Sequence, residues 1–451
     1  MSRRRQLVPG SMALALAIAL ATAGAASAAK AVKAKWNRID GPTGAGNEIG
    51  LVRGADGVLH AVWIKGTTPS TISDTTISAA GRPAGTSTIA GGWDGNGGIA
   101  GLLMPDQTLR LFVTGGHVPN LPTAQTGVNS FTAPASGSPW TLDAGRVWGG
   151  TIAYDSGTLG ATLTNDGQPV TAWSGAGAGT VHVGLDPNTP NSSYGADLGA
   201  SWLATDRGSG AVVLAAPTVA GSGGTFVQQV LPSAGASQTL PAVANLQASG
   251  LAGRIGVGGV YVAWTDGKTM KLTQLGGGTR TLARGPFSFA KVFAAPAGRL
   301  WLAWGDTNDG LYVTRSNGAV TKFETVQHLK LASGNVAGLA NENGEGSAGP
   351  LDFFALFQIG GSDRGYWQTH VFPTLSIGSS AGKSKRGKRS VTITVTDAGD
   401  PVSGASVKVG SKKGRTGATG RVTFSLSPGT YKEKASASGY ATASRRVKVK
   451  A

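Results

Sequence analysis

The stretch Arg299 to Thr314, Arg-Leu-Trp-Leu-Ala-Trp-Gly-Asp-Thr-Asn-Asp-Gly-Leu-Tyr-Val-Thr, reads as a β-hairpin. Leu300, Leu302 and Trp304 alternate with Trp301 and Ala303, Gly305 to Gly310 supply turn residues, and Leu311 and Val313 resume a period of two. Trp301 and Trp304 differ by an odd number of positions, so their indoles point to opposite faces. A strand with a large apolar side chain on each face needs a neighbour on both sides, as in a sheet packed between two others.

The same phrase recurs along the chain, at Val58 to Trp63, Thr108 to Val113, Gln168 to Trp173, Ala211 to Ala216, Gly259 to Trp264 and, more loosely, Asp352 to Phe357. The mean period is about 49 residues, in the range of a repeated all-β unit. Turn chemistry precedes each copy, as in Ala55-Asp56-Gly57, Pro105-Asp106-Gln107, Asn165-Asp166-Gly167 and Pro296-Ala297-Gly298. A further strand follows several copies, for example Thr180 to Leu185, Thr269 to Leu275 and Tyr366 to Phe372. A fourth strand per unit would be the outermost and least patterned, and no position for it stands out. Repeats of this kind close most economically into a β-propeller of six or seven blades, seven being favoured, over residues 36–377.

The chain has 451 residues, with 72 Gly, 11 Trp and no Cys. Without Cys there are no disulfides, thiolate metal sites or cysteine nucleophile, and no lipobox. Residues 1–28 carry Arg3-Arg4-Arg5, an apolar run from Met12 to Ala21 and the small-residue ending Ala26-Ser27-Ala28, the pattern of a Sec-type signal peptide cut before Ala29. No later apolar run is long enough to span a membrane, so the expectation is a secreted protein.

Composition changes after Leu375. Residues 378–389, with Lys383, Lys385, Arg386 and Lys388, read as a basic, flexible linker. Residues 390–451 alternate Val391, Ile393, Val395, then Val407, Val409, then Val422, Phe424, Leu426, with turn signals between, as a small C-terminal β-sandwich would. Thr394 to Asp397, Pro401 to Val407, Thr419 to Phe424, Pro428 to Tyr431 and Ser438 to Tyr440 stand in an order that resembles the carboxypeptidase regulatory-like family of transthyretin-like sandwiches. That resemblance implies an accessory module of an exported or cell-surface protein, not a catalyst. The repeats resemble bacterial sialidase-like propellers, in which a phrase like Ala55 to Trp63 recurs blade by blade. They lack the Ser-x-Asp-x-Gly-x-x-Trp box, so the resemblance carries no catalytic residue over.

The formal charge is +17 and lies at the C-terminal end. From Ser379 onward, sixteen Lys and Arg stand against Asp397, Asp400 and Glu433, a net +13. Such density attracts polyanions; outside a bacterial cell these are teichoic-type wall polymers, acidic polysaccharides and anionic lipid headgroups. The candidates are Lys383, Lys385, Arg386, Lys388, Arg389, Lys412, Lys413, Arg415, Arg445 and Arg446. A face that only solubilises is the competing reading. Nucleic acid is disfavoured, because Phe424, Tyr431 and Tyr440 all fit core or turn positions rather than base-stacking ones.

Signals for catalysis are sparse. His60, His117, His182, His328 and His370 form no metal-ligand spacing, and no G-x-S-x-G elbow or P-loop occurs. No cofactor is expected. Asp306-Thr307-Asn308-Asp309-Gly310 has oxygen ligands for calcium without the EF-hand Glu, and turn chemistry explains the same letters. Trp93, in Gly91 to Gly98 with Asp94 and Asn96, and Trp148, before Gly149-Gly150, are the ligand-binding candidates: an exposed indole stacks on a sugar while its neighbours bond hydroxyls. Packing between blades is the other reading of both. The preferred function is an exported, wall-associated binding protein whose propeller recognises a glycan or protein. The alternative is a glycan-cleaving hydrolase or lyase, which needs a cluster of Arg, Tyr and Glu or of His and Tyr. Arg53, Arg110, Arg146, Arg254, Arg299 and Arg364 are the letters on offer.

Overall fold

The computed structural model describes residues 35–450 apart from 40–48, 67–69, 94–97, 116–126, 149–158, 175–180, 186–191, 195–201, 219–222, 244–247, 307–309, 333–335, 341–348 and 361–362. The regular elements among them are β-strands, grouped in nine four-stranded sheets. Seven of these sheets belong to the repeats. The recurring phrase is the second strand of each: Leu59–Lys65, Leu109–Gly115, Pro169–Ser174, Val212–Pro217, Val260–Thr265, Arg299–Asp306 and Leu351–Gly360. Six sheets run through four consecutive strands. The seventh takes Val336–Ala340, Leu351–Gly360 and Asp363–Val371, and its fourth strand is Trp36–Arg38 from the start of the described chain.

The opposed tryptophans of the opening hairpin do what their spacing implies. Trp301, fully buried, packs with Ala303 and Val313 against Phe353 and Phe357 of the seventh sheet. Trp304 packs with Leu300 and Leu302 against Tyr261, Met270 and Leu272 of the fifth. Each indole removes about 200 Å² of surface from water, worth roughly 5 kcal/mol of transfer free energy before ordering costs. Comparable clusters lie between every neighbouring pair of sheets, the first and seventh included, so the ring is closed and the fold is a β-propeller.

Tight turns join first and second strands at one end of the ring. Asp56 and Asp106 each accept the amide two residues on, at 2.9 and 3.0 Å, fixing the turn before the strand begins. The residue closing the turn has positive φ, supplied by Gly57 and Gly167 in two copies and by Gln107 (φ 69°) in another. At a different turn, Gly137 of the second sheet lies so close over the His60 ring of the first that a Cβ there would overlap it.

The remaining two sheets face each other around Val391, Ile393, Val395, Val407, Val409 and Phe424, as a sandwich. The stretch expected to be a flexible linker belongs to this domain instead. Ser376–Lys385 is a strand paired with Lys388–Asp397, and Arg386 and Gly387 between them have φ 51° and 69°, the geometry of a type I′ hairpin turn. An edge strand with one exposed face needs few apolar residues, which is why its Ser, Gly and Lys read as linker. Among the described residues no helix is long and apolar enough to cross a membrane. Residues 1–28 lie outside the described residues.

Candidate functional site

The propeller's sequence candidates do not converge. Trp93 is fully buried between the first two sheets, against Phe131 at 5.8 Å, with its indole nitrogen donating to the Thr114 carbonyl. An exposed sugar-stacking indole at Trp93 is therefore corrected to a core residue. Its Gly-rich neighbours suggested a loop, yet it ends the long fourth strand Pro83–Trp93. Asp94, Asn96, the Trp148 side chain, His117 and most of the Asp306 to Gly310 turn lie outside the described residues.

The arginines serve the framework. Arg53 donates to Asp352 at 2.8 Å, tying the first sheet to the seventh, and Arg254 donates to the Gly298 carbonyl at 2.8 Å, tying the fifth to the sixth. Arg110 reaches Asp143 within the second sheet at 3.4 Å, and the Arg146 and Arg364 side chains lie outside the described residues. His60 and His370 each hold a buried carboxylate at 2.8 Å, Asp74 and Asp352 respectively. Burial would raise Asp352, but His370 and Arg53 hold it below the usual carboxylate range. Burial also lowers the His182 imidazole, which lies 5.8 Å from Trp173. Among the described residues no group of three or more His, Asp or Glu is arranged to hold a metal ion.

A second polar cluster joins propeller to sandwich. Arg315, on the third strand of the sixth sheet, donates to Glu324 at 3.2 Å and across the junction to Asp397 at 2.5 Å. Arg299 donates to Asp400 at 2.6 Å, and the Tyr440 hydroxyl donates to Asp397 at 2.9 Å. Glu324 accepts both the amide and the hydroxyl of Thr374, at 2.7 and 3.0 Å. Burial pushes Glu324 up to about 8 against the opposing pull of Thr374 and Arg315, and the nearby Asp397 adds to the rise. One Asp397 oxygen is buried without a hydrogen-bond partner.

The charge expected to attract polyanions is organised by strand pairing. In the sheet formed by Lys412–Arg415, Ser406–Val409, Gly429–Ser436 and Ala443–Val449, Val407, Val409, Ala435 and Val449 point into the sandwich. The alternate positions face out. There Lys408 stands directly opposite both Lys413 and Lys434, and Lys432 opposite Arg446. Lys448 and Arg415 extend the same exposed face. Glu433, the single acid among these strands, is buried on the inner side and accepts from Arg445 at 2.6 Å. The outward face therefore carries seven basic side chains and no carboxylate.

Of the sequence candidates, Lys413, Arg415 and Arg446 lie on this face. Lys412 and Arg445 belong to the opposite side of their strands, opposite Val409 and Glu433. Lys383, Lys385, Arg386 and Lys388 crowd the exposed hairpin tip, with Arg389 half-buried beside them. Lys408, Lys432, Lys434 and Lys448 were missed as candidates. Their signal was the alternation of Lys with Val, Glu and Ala, which puts every second residue on one face. The aromatic residues here are not available for stacking on bases: Phe424 is buried, and Tyr431 and Tyr440 pack partly buried against the sandwich core.

Residues 390–451 match the carboxypeptidase regulatory-like domain family. No match is found among curated proteins. Similar solved structures include a catalytically inactive virginiamycin B lyase from Staphylococcus aureus with quinupristin, 10% identical over 74% of this chain and 99% of that one, with a TM-score of 0.42. AofleA from Arthrobotrys oligospora is 10% identical over 69% of this chain and 93% of its own, also with a TM-score of 0.42. A GH43B protein of the Bacteroides ovatus xyloglucan locus is 13% identical over 91% and 92%, with a TM-score of 0.34. The ring of sheets and the clusters between them define the propeller by themselves.

Proposed function

We propose that this chain is an exported binding protein, its propeller recognising an extracellular glycan or protein while the lysine face of the sandwich associates with anionic cell-wall polymer. The observation that carries the second half is the set of like charges directly opposite one another, Lys408 with Lys413 and Lys434, and Lys432 with Arg446. Each such pair costs a few tenths of a kcal/mol of sheet stability, up to about 1. A fold that carries three of them on one flat face, with no acid to compensate, is arranged for an external polyanion.

The experiment is binding of the mature chain, residues 29–451, to immobilised teichoic-type wall polymer across a salt series, with mass analysis of the soluble glycans left behind. Retention that weakens steeply with salt and leaves glycan masses unchanged supports the proposal. Retention that ignores salt rejects the electrostatic half, and the appearance of shortened glycans rejects binding in favour of cleavage.

A further inference from the structure

At one margin of the lysine face the sandwich meets the propeller in a cleft of about 490 Å³. Its walls are Arg299 from the sixth sheet, Ser403 and Gly404 from one sandwich turn, Ser438 and Tyr440 from another, and Arg415 from the end of the strand Lys412–Arg415. The volume is within the range of small-ligand sites, roughly 300–1,000 Å³.

The cleft is held in shape before any ligand arrives. The Thr416 hydroxyl donates to the Val402 carbonyl at 2.6 Å and accepts the Ala405 amide at 2.9 Å, and the Gly404 amide donates to the Thr416 carbonyl at 2.9 Å. These bonds pin the Ser403 turn to the neighbouring strand. The Tyr440 hydroxyl is turned toward Asp397, which leaves its ring as wall.

The two guanidinium groups differ in what they can offer. Arg299 is compensated by Asp400 at 2.6 Å and by Asp397 at 3.4 Å. Arg415 is exposed, makes one long bond of 3.4 Å to the Gly404 carbonyl, and has no carboxylate partner among the described residues. Beside it stand the exposed hydroxyls of Ser403 and Ser438. One uncompensated forked cation flanked by hydroxyls suits a ligand with one negative group and neighbouring hydroxyls.

Arg415 also belongs to the outward face, two residues and about 7 Å from Lys413 along the same strand. We propose that the cleft takes one anionic, polyhydroxylated repeat unit of the polymer that lies on the lysine face, so that the face supplies attraction and the cleft supplies selection. This rests on the polyanion reading above. The repeat unit's chemistry is shared by a uronate residue of an acidic polysaccharide and by an alditol phosphate unit of a teichoic-type polymer.

The test compares three probes on the mature chain: oligoglucuronate, oligo(glycerol phosphate), and linear polyphosphate, which has charge without hydroxyls. Ser438→Trp obstructs the cleft and leaves the charge unaltered. It is expected to weaken one or both hydroxylated oligomers at least 10-fold and to leave polyphosphate within twofold; the oligomer that loses affinity identifies the source. Arg415→Lys, which keeps the charge and removes the fork, is expected to produce a smaller loss on the same oligomer, with an unfolding temperature unchanged in both variants. Equal weakening of all three probes by Ser438→Trp, or no change in either hydroxylated oligomer, overturns the cleft proposal. Lys408→Ala/Lys434→Ala is expected to weaken all three probes, and if it weakens none, the polyanion reading itself fails.

Discussion

Replacing Glu324 by Gln tests the junction directly. The side chain is 1% exposed, accepts from Arg315 and Thr374, and has its ionisation pushed up to about 8 from an ordinary 4.5. A carboxyl whose folded-state pKa is raised holds its proton more tightly in the folded molecule. The stability it contributes is therefore full below about pH 4.5 and is lost as pH rises through about 8. At about 1.4 kcal/mol per unit, on the order of 4 kcal/mol is lost between pH 5 and pH 9. Glu324→Gln cannot ionise, so that component of the slope disappears, while titrating groups away from the buried Glu324–Asp397 pair stay in place. The assay is urea unfolding of both proteins at several pH values, reading the difference between them so that common titrations cancel. The variant is expected to gain on the wild type steadily from pH 5 to about pH 8 and to level off above it. A difference that stays flat within about 1 kcal/mol over that range refutes the account of the buried pair.

Four further outcomes follow from the packing. Lys408→Ala/Lys434→Ala is expected to raise stability by a few tenths of a kcal/mol through relief of like-charge pairs, while flattening the salt dependence of polymer binding by about one unit per lysine, read by urea unfolding and a salt titration. Gln107→Gly, at φ 69°, is expected to stabilise by about 0.5–1 kcal/mol, since glycine adopts that conformation without a Cβ clash. Trp93→Ala is expected to cost about 3–5 kcal/mol in urea unfolding, the signature of a core residue. Trp36→Ala removes an edge-to-face contact with Phe357 at 5.2 Å and a 2.8 Å bond to the Lys330 carbonyl, and is expected to cost about 2–3 kcal/mol in the same assay.

Legibility followed burial. The second strand of every propeller sheet could be found because both its faces are buried, so letters such as Leu300 to Trp304 are constrained at each position. The fourth strands lie at the rim and are loosely patterned; Pro83–Trp93 begins with six exposed residues. The use of Trp36–Arg38 as a fourth strand of the last sheet is a pairing across the length of the chain, which no local pattern can express. In the sandwich, the charge total was visible in the letters, whereas the alignment of Lys408 with Lys413 and Lys434 required the strand register. The junction cluster was equally hidden, because Arg315 and Glu324 pair within the propeller and Asp397 reaches Arg315 only through docking of the two domains.

The pairing of Trp36–Arg38 with Asp363–Val371 also dictates an order of events. Asn37 bonds Gln368 across 331 positions, so the first strand among the described residues must wait for nearly the last of the propeller. Until Leu351–Gly360 arrives, the first sheet presents Leu51, Ala61 and Trp63 to solvent with no sheet to cover them. The ring thus forms late and cooperatively, at high contact order. A chain halted before Leu351 has two uncovered apolar faces, one at each end of an open arc, and each is a surface for self-association. The sandwich strands from Ser376 to Val449 find all their partners within their own stretch, so that domain can assemble as soon as it is complete.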